Sequence, residues 1–158
     1  MDIGLNVGYS ATKAVSANRR VIFPSVVGSP DKASFALDAY DSIALLEPQP
    51  VLIGDEAVLQ SRFLNRREDR DWIRSDEWYL LALAALTELT PATNAELTVV
   101  TGLPAAFYAD KDVVRQRLEG QHRVRREGRV GQTLTITKAI PVPESFGTVF
   151  DALWNDKL

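Results

Sequence analysis

Ile3, Leu5 and Val7 are separated by Gly4 and Asn6, the period of two expected of a half-buried strand. Gly8, Tyr9 and Ser10 predict a turn, and residues 12–17 a second strand. Asn18 and Arg19 predict a short turn into Val21, Ile22 and Phe23, a third strand that Pro24 stops. The three together predict an antiparallel meander. Across residues 25–70, Gly28, Pro30, Pro48 and Pro50 mark loops, with Val51–Ile53 and Ala57–Leu59 as candidate edge strands.

The period then changes. Ser75 offers a helix cap, Asp76 and Glu77 favour the positive end of the helix dipole, and the stretch from Trp78 to Leu89 is apolar almost all round. This predicts a buried helix that Pro91 ends. Leu97 to Thr101 (LTVVT) is a short apolar run suited to a central strand. Asp110 is the expected cap of a second helix to Glu119, with Gly120 at its C-terminal end. Residues 122–130 and 132–140 alternate around Gly128 and Gly131 and predict a hairpin. Phe146, Val149, Phe150, Leu153 and Trp154 fall at i, i+3, i+4, i+7 and i+8, an amphipathic helix. The fold class is mixed α/β, in one domain over residues 1–158.

Composition narrows this. The 158 residues are 46% hydrophobic and 25% charged, which suits a globular core and not a disordered chain. A formal net charge of -3 argues against direct nucleic-acid binding. Without cysteine there is no disulfide scaffold, thiolate metal site or cysteine nucleophile. No apolar run is long enough to span a bilayer and no signal peptide is visible, so no membrane association and a cytoplasmic location are expected. The run at 61–71 mixes both charge signs and reads as a solvated surface. The single histidine, His122, lies in a strand with Arg123, Arg125, Arg126 and Arg129, read as a solvated hairpin without catalytic or metal-binding use.

Three short segments carry candidate chemistry. In GLNVGYSATKAV (residues 4–15), Gly8 lets the backbone approach a ligand, successive N–H groups converge on an anion, Lys13 adds positive charge, and Ser10 and Thr12 supply hydroxyls. The same spacing also fits a plain hairpin. It contains neither a P-loop nor a dinucleotide fingerprint. TGLP at 101–104 ends the apolar strand, and Glu144 in PVPES (141–145) sits where a carboxylate also serves as a cap.

Taken in order, GLNVGYSATKAV, LTVVTGLP and IPVPESFGTVFDAL resemble the N-terminal half of bacterial and archaeal actin-like ATPases, above all the ParM-like plasmid-segregation type. The resemblance implies the actin/Hsp70/hexokinase fold on a ribonuclease-H-like core, with ATP and Mg²⁺ between two halves. It makes Gly8, Tyr9, Ser10, Thr12 and Lys13 the phosphate-binding residues and Glu144 the catalytic residue that orients the attacking water. The last helix would be the hinge out of the first half. It also implies self-association into cytoskeletal filaments and an adaptor protein bound to DNA.

Two departures shape the expectation. The second phosphate motif and the adenosine-binding half would follow residue 158. Asn6 also stands where the family pattern has an Asp linked to the metal; Asn keeps the shape but not the charge. Asp2 is four residues along the strand, about 13 Å away, and cannot replace it. The chain alone is therefore expected to bind nucleotide weakly or not at all and to show no appreciable ATPase activity. The alternative is a nucleotide-independent interaction module that keeps the fold as a scaffold. A metal-dependent nuclease of ribonuclease-H type is disfavoured, because Asn6 removes the most obvious carboxylate. Phe146, Phe150 and Trp154 would lose neighbours without a second half, so a dimer or higher oligomer is expected.

Overall fold

The N-terminal alternation becomes three antiparallel strands in a computed structural model that describes residues 1–28, 42–45, 51–60, 64–65, 69–126, 130–144 and 146. They are β1 (Asp2–Val7), β2 (Ala11–Val15) and β3 (Arg20–Pro24). Gly4 pairs with Val15 and Val7 with Thr12 across β1 and β2, and Ala11 pairs with Pro24 across β2 and β3. The second turn closes through Ser16 N–H to the Arg19 carbonyl at 2.8 Å.

Next come β4 (Val27–Gly28), β5 (Ser42–Leu45), β6 (Val51–Ile53), α1 (Asp55–Gln60) and β7 (Leu64–Asn65). Val51–Ile53 is a strand as expected, but Ala57–Leu59 is helical. Three apolar residues do not distinguish the two states; the flanking residues decide. Gly54 takes φ +65, which turns the chain after β6, and Asp55 and Glu56 occupy the first turn of the helix. Ala57 is then fully buried against Val26 and Leu52. Of the charged run, Asp69, Arg70 and Asp71 are exposed as expected.

A 3₁₀ turn at Arg70–Arg74 leads into α2 (Asp76–Leu89). The Ser75 hydroxyl accepts the Trp78 N–H at 3.1 Å and donates to the Trp72 carbonyl at 2.7 Å, so one side chain joins the two elements. The run from Leu81 to Leu86 is almost fully buried, as its all-round apolar character predicts.

β8 (Asn94–Leu103) is the central strand, parallel to β1 on one side and to β10 (Gln132–Pro143) on the other. A 3₁₀ turn (Ala105–Asp110), α3 (Lys111–Leu118) and β9 (Gly120–Arg126) lie between β8 and β10. β9 pairs antiparallel with β10, giving the predicted hairpin. Among the described residues the sheet order is β3-β2-β1-β8-β10-β9-β5-β6-β4-β7. The core side of β1 presents Ile3, Leu5 and Val7, and that of β8 presents Leu97, Val99 and Leu103; both face α2 and its neighbours.

Three expectations need correction. Asp110 does not cap α3: its carboxylate instead accepts Arg70 Nε at 2.9 Å and Arg74 Nη2 at 3.1 Å. The arginine-rich hairpin is not solvated throughout, because His122 and Arg126 are buried. Their ring and guanidinium groups find partners on the core side: Tyr79 Oη and the Leu118 carbonyl for His122, Glu88 and the Ala84 carbonyl for Arg126. The alternation of β10 also breaks, with a bulge between Ile136 and Lys138. The predicted helix over Phe146–Trp154 lies outside the described residues apart from Phe146, which is exposed.

Candidate functional site

One face of the sheet packs on α2 and the 3₁₀ turn at Arg70–Arg74; the other opens as a cleft. Gly4 and Asn6 of β1, Lys13 and Val15 of β2, Val100 and Gly102 of β8, and Val142 of β10 lie on this open face, with Glu144 just past β10. The trough is about 560 Å³ and continues into a smaller pocket of about 260 Å³ at the β1–β2 turn. Asn6, Lys13 and Glu144 border both.

Register brings these residues together. Asn6 and Lys13 are direct cross-strand partners, so both point to the same side. Val142 pairs with Gly102, which puts the end of β10 beside β8. The bulge then decides where Glu144 goes. Leu134 and Ile136 face the core before it, Ala139 and Pro141 after it, and Val142 and Glu144 fall on the cleft side. Thr137 Oγ1 donates to the Leu97 carbonyl at 3.1 Å, and the Glu119 carboxylate accepts the Ala139 N–H at 3.0 Å. Those two bonds hold the irregular step.

The turn is closed by hydrogen bonds and supported from the core side. Gly8 N–H donates to the Ala11 carbonyl at 3.2 Å, and the Ser10 carbonyl accepts Ser25 N–H at 3.0 Å. Trp72 supports it from below: its Nε1–H donates to the Val7 carbonyl at 3.0 Å, and its ring stands 6.2 Å from that of Tyr9, tilted by 48°. Tyr9 Oη donates to the Asp69 carbonyl at 3.1 Å. Asp110, tied to Arg70 and Arg74, links this supporting turn to the start of α3. The two arginines hold the Asp110 carboxyl below the usual carboxylate range, first through their hydrogen bonds.

Of the residues singled out in the sequence, Asn6, Gly8, Tyr9, Ser10, Lys13 and Glu144 line the smaller pocket together. Thr12 does not join them. It is fully buried on the opposite face of β2, and its hydroxyl is hydrogen-bonded to that of Ser25 at 2.9 Å. Adjacent strand residues point to opposite faces, so Thr12 and Lys13 cannot both enter the cleft.

Gly102 enters the site from the TGLP segment, whereas Trp72 and Arg20 line it without having been candidates. Gly102 leaves room for neighbours: a Cβ there would lie 3.0 Å from Glu144 Cγ and 3.8 Å from Asn6 Nδ2. Arg20 adds a second cation to the trough. The TGLP turn contained the signal for Gly102, whereas Trp72 and Arg20 had none beyond their residue types.

A family model described as actin-like proteins, N-terminal domain, matches residues 4–147. The chain belongs to this family. Solved structures agree on the fold. The pSK41 ParM protein in its apo form has a TM-score of 0.82 at 14% identity, covering 95% of this chain and 51% of that one. The archaeal actin homologue Ta0583 has a TM-score of 0.83 at 21% identity, covering 99% of this chain and 50% of that one. A 15-stranded ParM filament from Clostridium botulinum has a TM-score of 0.79 at 24% identity, covering 98% and 50%. Ta0583 is also solved in complex with ADP. The chain thus spans about half the length of these proteins. No curated protein sequence matches it. Among the described residues no helix is long and apolar enough to cross a membrane.

Proposed function

We propose that these 158 residues are the N-terminal domain of a filament-forming, nucleotide-binding actin-like protein, with its phosphate site at the β1–β2 turn. The convergence of Asn6, Gly8, Lys13 and Glu144 on one pocket carries this reading. Lys13 supplies charge, the Gly8–Ser10 turn supplies close backbone approach, and Glu144 is the carboxylate that orients water at the terminal phosphate. Phosphoryl transfer depends on positioning and charge more than on covalent chemistry. The residues on this face provide one wall of a cleft.

With one wall, bound nucleotide stays in contact with water, so these residues alone bind ADP or ATP weakly and hydrolyse ATP no faster than buffer. Self-association through the fold, ParM-type plasmid segregation through a DNA-bound adaptor and a cytoplasmic location belong to the same proposal. A filament from a relative of the same fold motivates the first of these.

Amide spectra of the isotopically labelled chain, titrated with ADP to millimolar concentration, test the nucleotide site. Shifts concentrated at Gly8, Ser10, Lys13 and Gly102 are expected. Absence of any shift overturns it and leaves the nucleotide-independent scaffold, which the uncharged Asn6 favours. Robust ATP turnover by the 158 residues alone would overturn the proposed inactivity.

A further inference from the structure

We propose that the larger trough is a docking face, and that its occupant is the amphipathic stretch of this same chain that follows β10, residues 146–158. This seat lies beside the smaller pocket that carries the nucleotide reading and does not depend on it.

The floor of the trough needs a cover. β8 runs parallel to β1 on one side and to β10 on the other, and parallel strands are normally buried on both faces. Among the described residues, α2 and its neighbours cover one face only. On the other, Val15 is 53% exposed, Ile22 66% and Val100 38%, three apolar side chains that line the one trough. Polar groups stand at its margins: Asn6, Lys13 and Glu144 toward the smaller pocket, Arg20 on the far strand. An apolar patch rimmed in this way marks a contact surface.

Register gives the trough its length. Ile140, Val100, Gly4, Val15 and Arg20 are successive partners across β10, β8, β1, β2 and β3. Four strand spacings of about 4.8 Å make roughly 19 Å. Gly4 has no side chain, so Val15 Cγ1 reaches within 3.1 Å of where a Cβ would stand. The floor therefore stays low and apolar at its centre.

The sequence supplies an occupant of matching size. Residues 146–158 begin two positions after Glu144, which already borders the trough. As a helix rising about 1.5 Å per residue, they reach roughly 20 Å. Phe146, Val149, Phe150, Leu153 and Trp154 share one helical face, an apolar stripe for an apolar floor. A crossing from β10 toward β3 puts Asp156 about 15 Å from Phe146, level with β2 and β3, opposite in charge to Arg20. So short a tether gives an effective concentration on the order of millimolar, which favours this stretch over a second copy. The stripe is then covered within the chain, and the dimer expected from its exposure does not form.

The test reads contacts in the methyl-labelled 158-residue chain without nucleotide. Nuclear Overhauser contacts from the Val15, Ile22 and Val100 methyls to the Phe150 and Trp154 rings are expected, with monomeric sedimentation. Mixing methyl-labelled with ring-labelled copies identifies the occupant: contacts that arise only between copies overturn the intrachain seat and assign the trough to a second copy. Absence of contact to either ring overturns the proposal. Phe150→Ser combined with Trp154→Ser should shift the Val15 and Val100 methyls and leave those of Leu83 and Leu86 in place; unmoved trough methyls overturn it. The contacts in the unmodified chain decide the matter even where that variant fails to fold.

Discussion

Gly102 leaves the space that Glu144 fills: a Cβ on Gly102 would stand 3.0 Å from Glu144 Cγ and 3.7 Å from its Oε1. Gly102 lies in β8 and Glu144 just past the end of β10, and the bulge in β10 turns Glu144 toward that gap. Gly102→Ala is therefore expected to separate fold from site. Replacing a strand glycine lowers unfolded-state entropy, worth about 0.4–1 kcal/mol where the backbone accepts alanine. The methyl group must displace Glu144 to fit. The melting temperature should stay the same or rise slightly, while the Glu144 side-chain carboxyl resonance shifts. A large loss of stability would show that Glu144 cannot move aside.

Asp110 provides a pH dependence whose sign follows from its partners. Its carboxyl is held below the ordinary range, chiefly by the hydrogen bonds from Arg70 and Arg74. A depressed carboxyl contributes stability that is fully present above the unfolded value, about 3.9, and is lost as pH falls through the folded value. Asp110→Asn should therefore destabilise the protein at neutral pH. Denaturation midpoints of the two proteins should converge as the pH is lowered below about 4. A gap that persists unchanged into strong acid would refute the assignment.

Local patterns made the frame legible: alternation in β1, the Ser75 cap, the apolar run of β8 and the β9–β10 hairpin are each read from adjacent residues. The site was legible only where neighbours in sequence are neighbours in space, as at the β1–β2 turn. Thr12 shows the limit, since a strand sends its hydroxyl and the Lys13 amine to opposite faces. Gly102 and Glu144 meet through strand register and a bulge at Thr137, which nothing in the local pattern of β10 announces. His122 and Arg126 look like surface residues in a basic run. Their burial depends on α2 and α3, whose partners Tyr79 and Glu88 lie far away in sequence.

The support beneath the β1–β2 turn can be probed at Trp72. Its ring is buried, and its Nε1–H donates to the Val7 carbonyl at 3.0 Å. Trp72→Phe keeps an aromatic ring but removes that donor inside the core, at a cost of about 1–3 kcal/mol for the buried carbonyl alone. Chemical denaturation should show this loss. Hydrogen exchange should quicken at Gly8, next to Val7, more than at the centre of β8. Uniform acceleration across the sheet would mean that Trp72 stabilises the fold without any particular role at the turn.

The basic strand β9 hides a buried charge whose cost depends on its partner. Arg126 is 6% exposed, forms an ion pair with Glu88 and donates Nη2 to the Ala84 carbonyl at 3.3 Å. Removing one member of such a pair strands a desolvated charge and costs about 3–5 kcal/mol; replacing both with apolar groups is often nearly neutral. Glu88 retains some exposure, so Glu88→Ala should fall toward the lower end of that range. Glu88→Ala combined with Arg126→Met should recover most of the loss. A double-mutant cycle in urea measures the difference, and additive single losses would show that the two side chains do not act as a pair.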